Sequence, residues 1–128
     1  VFNSSKEIFL QKRSMAKDEN PGLWDTSSAG HVDSGETYDE CAHRELWEEL
    51  QIEGNLIPLS KIEACEETYQ EHVQVYTCVT DAEIKINKDE ISEGKYFDLA
   101  LLKTEAKKNP ELFTSSFKLI LNKYESRF

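Results

Sequence analysis

Three carboxylates crowd together at Glu45, Glu48 and Glu49, directly after Arg44. At about 100° per residue on a helix, they fall within an arc of roughly 100° as i, i+3 and i+4 neighbours. Like charges packed this way destabilise a short helix unless a positive charge sits among them. Arg44, close to Glu48 in helical angle, can provide it through paired hydrogen bonds. Hard oxygen donors in this pattern suit Mg²⁺ or Mn²⁺, with a phosphate-bearing ligand to complete the octahedron. The bland alternative is a solvated acidic face. Eight carboxylates between Asp33 and Glu53 share a single Arg, and two features favour chemistry: the cluster closes a helix introduced by a loop with Gly30 and Gly35, and Arg44 sits beside it where it can orient a carboxylate.

The elements that must position this cluster read as mixed α and β. Thr37 and Glu40 have the spacing of a capping box, so the helix begins there. Tyr38, Cys41, Ala42, Leu46 and Leu50 recur at helical intervals, and Gly54 lies past the expected end. Residues 7–13 (EIFLQKR) read as a strand, with residues 1–2 as the end of an earlier one. Residues 18–22 (DENPG) carry turn chemistry, and residues 24–29 read as a short strand into the glycine loop. Strands are expected over 57–68 and 72–80. In the second, Val73, Val75, Thr77 and Val79 alternate with Gln74, Tyr76, Cys78 and Thr80. A further strand is expected at 95–98 and helices at 99–107 and 111–124, parted by Asn109-Pro110. Phe113, Phe117, Ile120, Leu121 and Tyr124 give the last helix a stripe expected to pack in the core.

The chain has 128 residues, room for one domain spanning 1–128 with one real core. Val1 in place of Met fits a trimmed N-terminus. With 25 acidic against 15 basic residues the formal charge is −10, which repels nucleic-acid backbone and anionic lipid, so neither is an expected partner. No apolar run approaches the roughly 20 residues of a membrane span. Cys41, Cys65 and Cys78 are an odd, scattered set, read as small buried hydrophobes in a reducing, cytoplasmic setting.

The spacing Gly30-x5-Glu36-x7-Arg44-Glu45-Leu46-x-Glu48-Glu49-x-Gln51-Ile52 resembles the Nudix box, and residues 30–52 (GHVDSGETYDECAHRELWEELQI) carry it. The one departure is Gln51, where the family has a Gly that relaxes the turn out of the helix; no ligand is lost. FLQKRS, the Pro21-Gly22-x-Trp24-Asp25 turn and GKYFDL resemble the flanks, so the likeness covers most of the chain. It implies a Nudix fold, a mixed β-sheet sandwiched between α-helices. It also implies hydrolysis of a nucleoside diphosphate linked to another group X, a small-molecule partner; a homodimer is the commonest assembly.

By the same resemblance Glu45, Glu48 and Glu49 hold Mg²⁺, or Mn²⁺ in its place. The Gly30 carbonyl and Glu36 support them, Arg44 orients a carboxylate, and Glu45 or Glu48 activates the water. Lys12 and Arg13 would take the remaining phosphate charge. A base from outside the box is expected at Glu90, in DEISEG, ahead of Glu93, Glu66, Glu67 and Glu71. Residues 24–31 (WDTSSAGH) also resemble isopentenyl-diphosphate isomerase, a Nudix relative, and His31 matches one of its ligands. That enzyme uses a Cys before the Gly-His pair, where this chain has Ala29. It also uses a pair of carboxylates on a later strand, where only Glu71 falls near and Tyr69 takes the other place. The isomerase and a non-catalytic nucleotide-binding module are the alternatives. Trp24, Tyr69, Tyr76, Tyr96 and Phe97 could stack on a base, with core packing the competing reading for each.

Overall fold

The protein is described from a computed structural model that covers residues 1–17, 19–68 and 72–124, with the backbone alone at 60 and 67. Strand β1 (Ile8–Arg13) lies in the middle of a three-stranded sheet, antiparallel to β2 (Trp24–Asp25) on one side and β5 (Ile91–Phe97) on the other. Its central position explains why Ile8, Phe9, Leu10 and Gln11 are buried in succession without alternation. Ile8 and Leu10 pack on one face with Leu102, Phe113, Phe117 and Leu121. Phe9 packs on the other with Leu46, Leu50, Ile52 and Ile91. Helices therefore cover both faces: α1 (Tyr38–Leu50) on the Phe9 side, α2 (Leu99–Lys108) and α3 (Ser115–Tyr124) on the Leu10 side.

Strands β3 (Ile57–Ile62) and β4 (Val73–Thr77) form a separate antiparallel pair. Both are shorter than their patterns predict. After Ile62 the chain turns into a 3₁₀ segment at Glu66–Thr68, where the Thr68 hydroxyl accepts from the Cys65 amide at 3.1 Å. Beyond Thr77 the alternation reverses: Cys78 is 2% exposed and Val79 67%. Phe2 intervenes there, donating to the Cys78 carbonyl (2.7 Å) and accepting from the Thr80 amide (2.8 Å) in a parallel bridge with Val79. Phe2 also bridges Ile8 in the antiparallel sense, so the N-terminal residues join the two sheets into one mixed system.

Three other boundaries differ from expectation. Strand β2 has two residues rather than six, because the chain leaves the sheet there: the Ser27 hydroxyl donates to the Phe9 carbonyl of β1 and the Ser28 hydroxyl to Glu49 of α1. Strand β5 starts at Ile91, four residues early, with a register shift opposite Lys12 and Arg13. Helix α3 starts at Ser115, not 111, because Pro110–Leu112 is a 3₁₀ turn. Thr114 then accepts from the Phe117 amide (3.2 Å) and donates to Asp25 (2.9 Å), tying α3 to β2. The stripe of α3 is core, with Phe117, Leu121 and Tyr124 buried. Cys41 and Cys78 are buried and Cys65 is half-buried. Among the described residues no helix is long and apolar enough to cross a membrane.

Tyr96 on β5 packs edge-on against Phe9 (5.3 Å between centroids), and its buried hydroxyl finds no hydrogen-bond partner among the described residues. Removing an unsatisfied buried hydroxyl gains back its desolvation cost, so Tyr96→Phe is expected to stabilise the fold by about 1 kcal/mol. A thermal melt checks this, and a lower melting temperature would show that the hydroxyl is satisfied.

Candidate active site

Helix α1 starts where its capping box places it. Thr37 accepts from the Glu40 amide (3.1 Å), and Glu40 accepts from the Thr37 amide (3.0 Å). The exit is held by Gln51, which takes the left-handed conformation at φ 52° while its amide donates to the Trp47 carbonyl (2.9 Å). A non-glycine residue there costs roughly 1 kcal/mol. The exit geometry that a Gly would ease is retained at that cost.

Arg44 is the hub of the carboxylates. Its Nε and Nη2 donate to the two oxygens of Glu36 at 2.8 and 3.0 Å. Its Nη1 sits between Glu45 (2.7 Å) and Glu48 (3.1 Å), and Nη2 also reaches the His31 carbonyl at 3.2 Å and Asp33 at 3.4 Å. The Arg44 guanidinium, helped by the Asp33 amide, holds the Glu36 carboxyl down at about 2. Hydrogen bonding to Glu36 pushes Arg44 itself well above its ordinary value.

Glu49 lies behind this array and is buried. It accepts hydrogen bonds from the Ser28 hydroxyl and, at 3.0 Å, the Ala29 amide. Burial nonetheless pushes its carboxyl up to about 7, and the charges of Glu45 and Glu90 add to the shift. Glu45 is raised in the same direction, again chiefly by burial, with Glu48 and Glu90 contributing. Gly30 lies against Glu45: a Cβ there would come within 2.2 Å of the Glu45 carboxyl carbon. The loop glycine is thus needed for close approach.

Other expected site residues are placed as follows. Glu90 follows the Asn87 turn, 3.4 Å from Lys17, within electrostatic reach of Glu45 and Glu49. Glu93 pairs across the sheet with Lys12, and by strand alternation both lie on the Leu10 face, away from α1. Arg13 lies on the α1 side but is engaged by Asp25 (3.6 Å) and the Glu19 carbonyl (2.9 Å). The sheet therefore does not bring Lys12 to the carboxylates, and Arg13, though on the α1 side, is paired with Asp25 and Glu19 rather than with them. Trp24 and Phe97 stack edge-on in the far core (5.0 Å), Tyr96 is core, and Tyr76 donates to Asp39. Glu66 is in the 3₁₀ turn; Tyr69, Glu71 and the Glu67 side chain lie outside the described residues. Ser28 and the Ala29 amide were not legible as partners of Glu49, since 21 and 20 residues separate them.

Among the described residues no three Asp, Glu, His or Cys side chains converge into a metal-enclosing group. The reason is visible: Arg44 stands between Glu45 and Glu48, and Ser28 and Ala29 hold Glu49. The donor chemistry fits a hard divalent cation all the same. Oxygen donors predominate, and Glu45 and Glu49 carry a raised proton affinity that a cation relieves.

That raised affinity gives a pH prediction for metal-free protein. Because Glu49 sits at about 7 when folded, against 4.5 ordinarily, its stabilisation is fully present below about 4.5 and lost as pH rises through 7. The loss amounts to about 3 kcal/mol at most. Melts in chelator should fall between pH 5 and 8, and Glu49→Gln should flatten the slope. An unchanged slope in the variant would sink the assignment. Glu36 acts in a separate, more acidic window.

The family model for the NUDIX domain matches residues 1–117. The chain belongs to the Nudix family. Among curated relatives, isopentenyl-diphosphate Delta-isomerase 2 of Photorhabdus laumondii is 33% identical over 132 residues, 95% of this chain and 72% of the relative. An uncharacterized Nudix hydrolase of Pseudomonas aeruginosa is 33% identical over 111 residues, 86% and 66%. The chain thus spans about two-thirds to three-quarters of the length of these relatives. A crystal structure from Deinococcus radiodurans superposes with TM-score 0.76 at 31% identity, covering 84% of this chain and 68% of that one. The MutT protein of Methanosarcina mazei gives 0.77 at 21%, covering 98% and 88%, a likeness of fold. The Nudix box at 30–52 corresponds to the Gly30 loop, α1 and its Gln51 exit, and the expected sheet between helices is the fold observed.

Proposed function

We propose that this Nudix protein hydrolyses a diphosphate bond in a substrate of the form nucleoside diphosphate linked to X, with Mg²⁺ or Mn²⁺ as the cation. The observation that supports it most is the Arg44 hub: one guanidinium ties Glu36 of the preceding loop to Glu45 and Glu48 on an edge of α1, with Glu49 buried beside them. A binding module has no need to maintain so costly a cluster. Glu45, Glu48 and Glu49, with Glu36 and the Gly30 carbonyl, are the groups to hold the cation. When bound, such a cation neutralises the diphosphate and acidifies a water. Glu48 is the exposed member, so it meets substrate first. Arg44 keeps Glu45 and Glu48 oriented, and Glu90 supplies a further carboxylate to accept the proton of the attacking water. That water's oxygen bonds to phosphorus as the bridging P–O bond breaks.

Isomerase relatives favour a second reading, a proton-transfer enzyme acting on isopentenyl diphosphate. Ala29 weakens it, because its side chain offers no proton and its amide already serves Glu49. A release assay with Mg²⁺ or Mn²⁺ over nucleoside triphosphates, nucleotide sugars, ADP-ribose, dinucleotides and isopentenyl diphosphate separates these readings. Cleavage of one class into its two phosphorylated products, absent in Glu48→Gln, supports hydrolysis. Isomerised product with the diphosphate uncleaved supports the second reading, and silence across the panel from protein that binds metal supports a binding module.

A further inference from the structure

Residues 27–30 join the carboxylates of α1 to the sheet. Phe9, Gln11 and Arg13 alternate onto the α1 side of β1. Gln11 is buried there, and its side-chain amide donates to the Ser27 carbonyl at 3.1 Å. With its hydroxyl bonded to the Phe9 carbonyl as well, Ser27 is tied to β1 at two points. Ser28 and Ala29 follow directly, so they meet α1 from a fixed base. The hydroxyl of the half-buried Ser28 donates to Glu49, and the Ala29 amide does so at 3.0 Å, both onto the same oxygen, Oε2. The other oxygen, Oε1, accepts no hydrogen bond from the described residues. Among their buried side-chain polar atoms only the Tyr96 hydroxyl lacks a partner, so Oε1 keeps contact with solvent.

The last torsion of a glutamate is soft and roughly two-fold, so a carboxylate held by one contact readily exchanges its two oxygens. Two donors from successive residues fix which oxygen is taken by the loop and which is left over. A cation binds more tightly where its ligands are already oriented in this way. We propose that Ser28 is a positioning residue: its hydroxyl holds Oε2 of Glu49 so that Oε1 is the oxygen given to the divalent cation. This rests on the hydrolase reading and adds to it. Glu49 binds through a single oxygen, and the choice of that oxygen is made by a residue two positions ahead of the 30–52 box rather than by α1. The Ala29 amide belongs to the backbone and persists in any side-chain variant. The Ser28 hydroxyl is therefore the part of the clasp that a substitution can remove.

The test titrates the protein with Mn²⁺ alone and follows the free ion by electron paramagnetic resonance, so no turnover is needed. Ser28→Ala should weaken Mn²⁺ binding about tenfold. Ser28→Cys, which keeps the volume with a far weaker donor, should show the same loss and guards against collapse of the loop in the alanine variant. Ser28→Thr keeps the hydroxyl and should restore binding to within about threefold. In a Glu49→Gln background, itself weakened, Ser28→Ala should cost nothing further, because the carboxylate it positions is gone. A purely structural Ser28 would lower the metal-free melting temperature and leave the Mn²⁺ affinity of the folded protein at the wild-type value. That result overturns the assignment, as do failure of threonine to restore binding and a loss that adds to that of Glu49→Gln. If Glu49→Gln weakens Mn²⁺ binding while neither Ser28→Ala nor Ser28→Cys does, only the Ser28 assignment falls. A wild-type protein that binds no Mn²⁺ takes the hydrolase reading with it.

Discussion

Glu48→Gln is expected to lower kcat about 10³-fold or more, while the protein melts no lower than wild type. The two halves of this prediction follow from one position on α1. The Glu48 side chain is 53% exposed and, among the described residues, accepts one side-chain hydrogen bond, from Arg44 at 3.1 Å. An amide of the same shape fills the same space and can still accept from that guanidinium. What disappears is a negative charge beside Glu45, where burial and like charges already raise proton affinity. Folding loses little and is relieved of repulsion. On the role proposed above, catalysis loses a charged oxygen donor that no neighbour at that angle of the helix replaces. The measurement pairs steady-state turnover with a thermal melt. Wild-type turnover in the variant would overturn the role of the box, and a large drop in melting temperature would make Glu48 structural. Glu49 should behave differently, because it is buried and bonded to Ser28 and Ala29, so its replacement alters stability as well.

Local chemistry made α1 legible, and long-range placement hid much of the rest. The Thr37–Glu40 box and the helical recurrence of Cys41, Leu46 and Leu50 involve residues within a few positions of one another, and the structure has them as read. The proximity of Arg44 to Glu48 follows from helical angle alone. Its grip on Glu36 does not, because that depends on how residues 31–36 fold back over the helix. Strand β5 was half hidden for a similar reason. Gly94 and the charged residues around it carry no alternating pattern, yet Gly94 is where Phe9 crosses: a Cβ would come within 2.4 Å of its ring. Lys12 and Arg13 show the limit most clearly. Adjacent strand residues point to opposite faces, so only one of them can look toward α1, and the sequence does not mark which face α1 covers. The structure places Arg13 on that side and pairs it with Asp25 from β2, twelve residues away.

Arg44→Lys is expected to cut kcat about 10²-fold although the charge is kept. The guanidinium does three things at once. One edge forks onto both oxygens of Glu36, Nη1 spans Glu45 and Glu48, and Nη2 also caps the His31 carbonyl. A lysine ammonium is a single point with three donors and cannot hold three carboxylates and a carbonyl that lie on different sides of it. Glu36 is then released from the arginine that holds it at about 2. A carboxyl depressed in the folded state contributes stability that is present above about 4.5 and lost as pH falls through 2. The variant should therefore melt well below wild type at pH 7, and the gap should narrow by pH 3. Glu36→Gln removes the same clasp from its other end, so the double variant should be scarcely worse than either single one. A constant gap across pH, or additive losses, would mean that Arg44 acts through Glu45 and Glu48 alone and that the loop is held by something else.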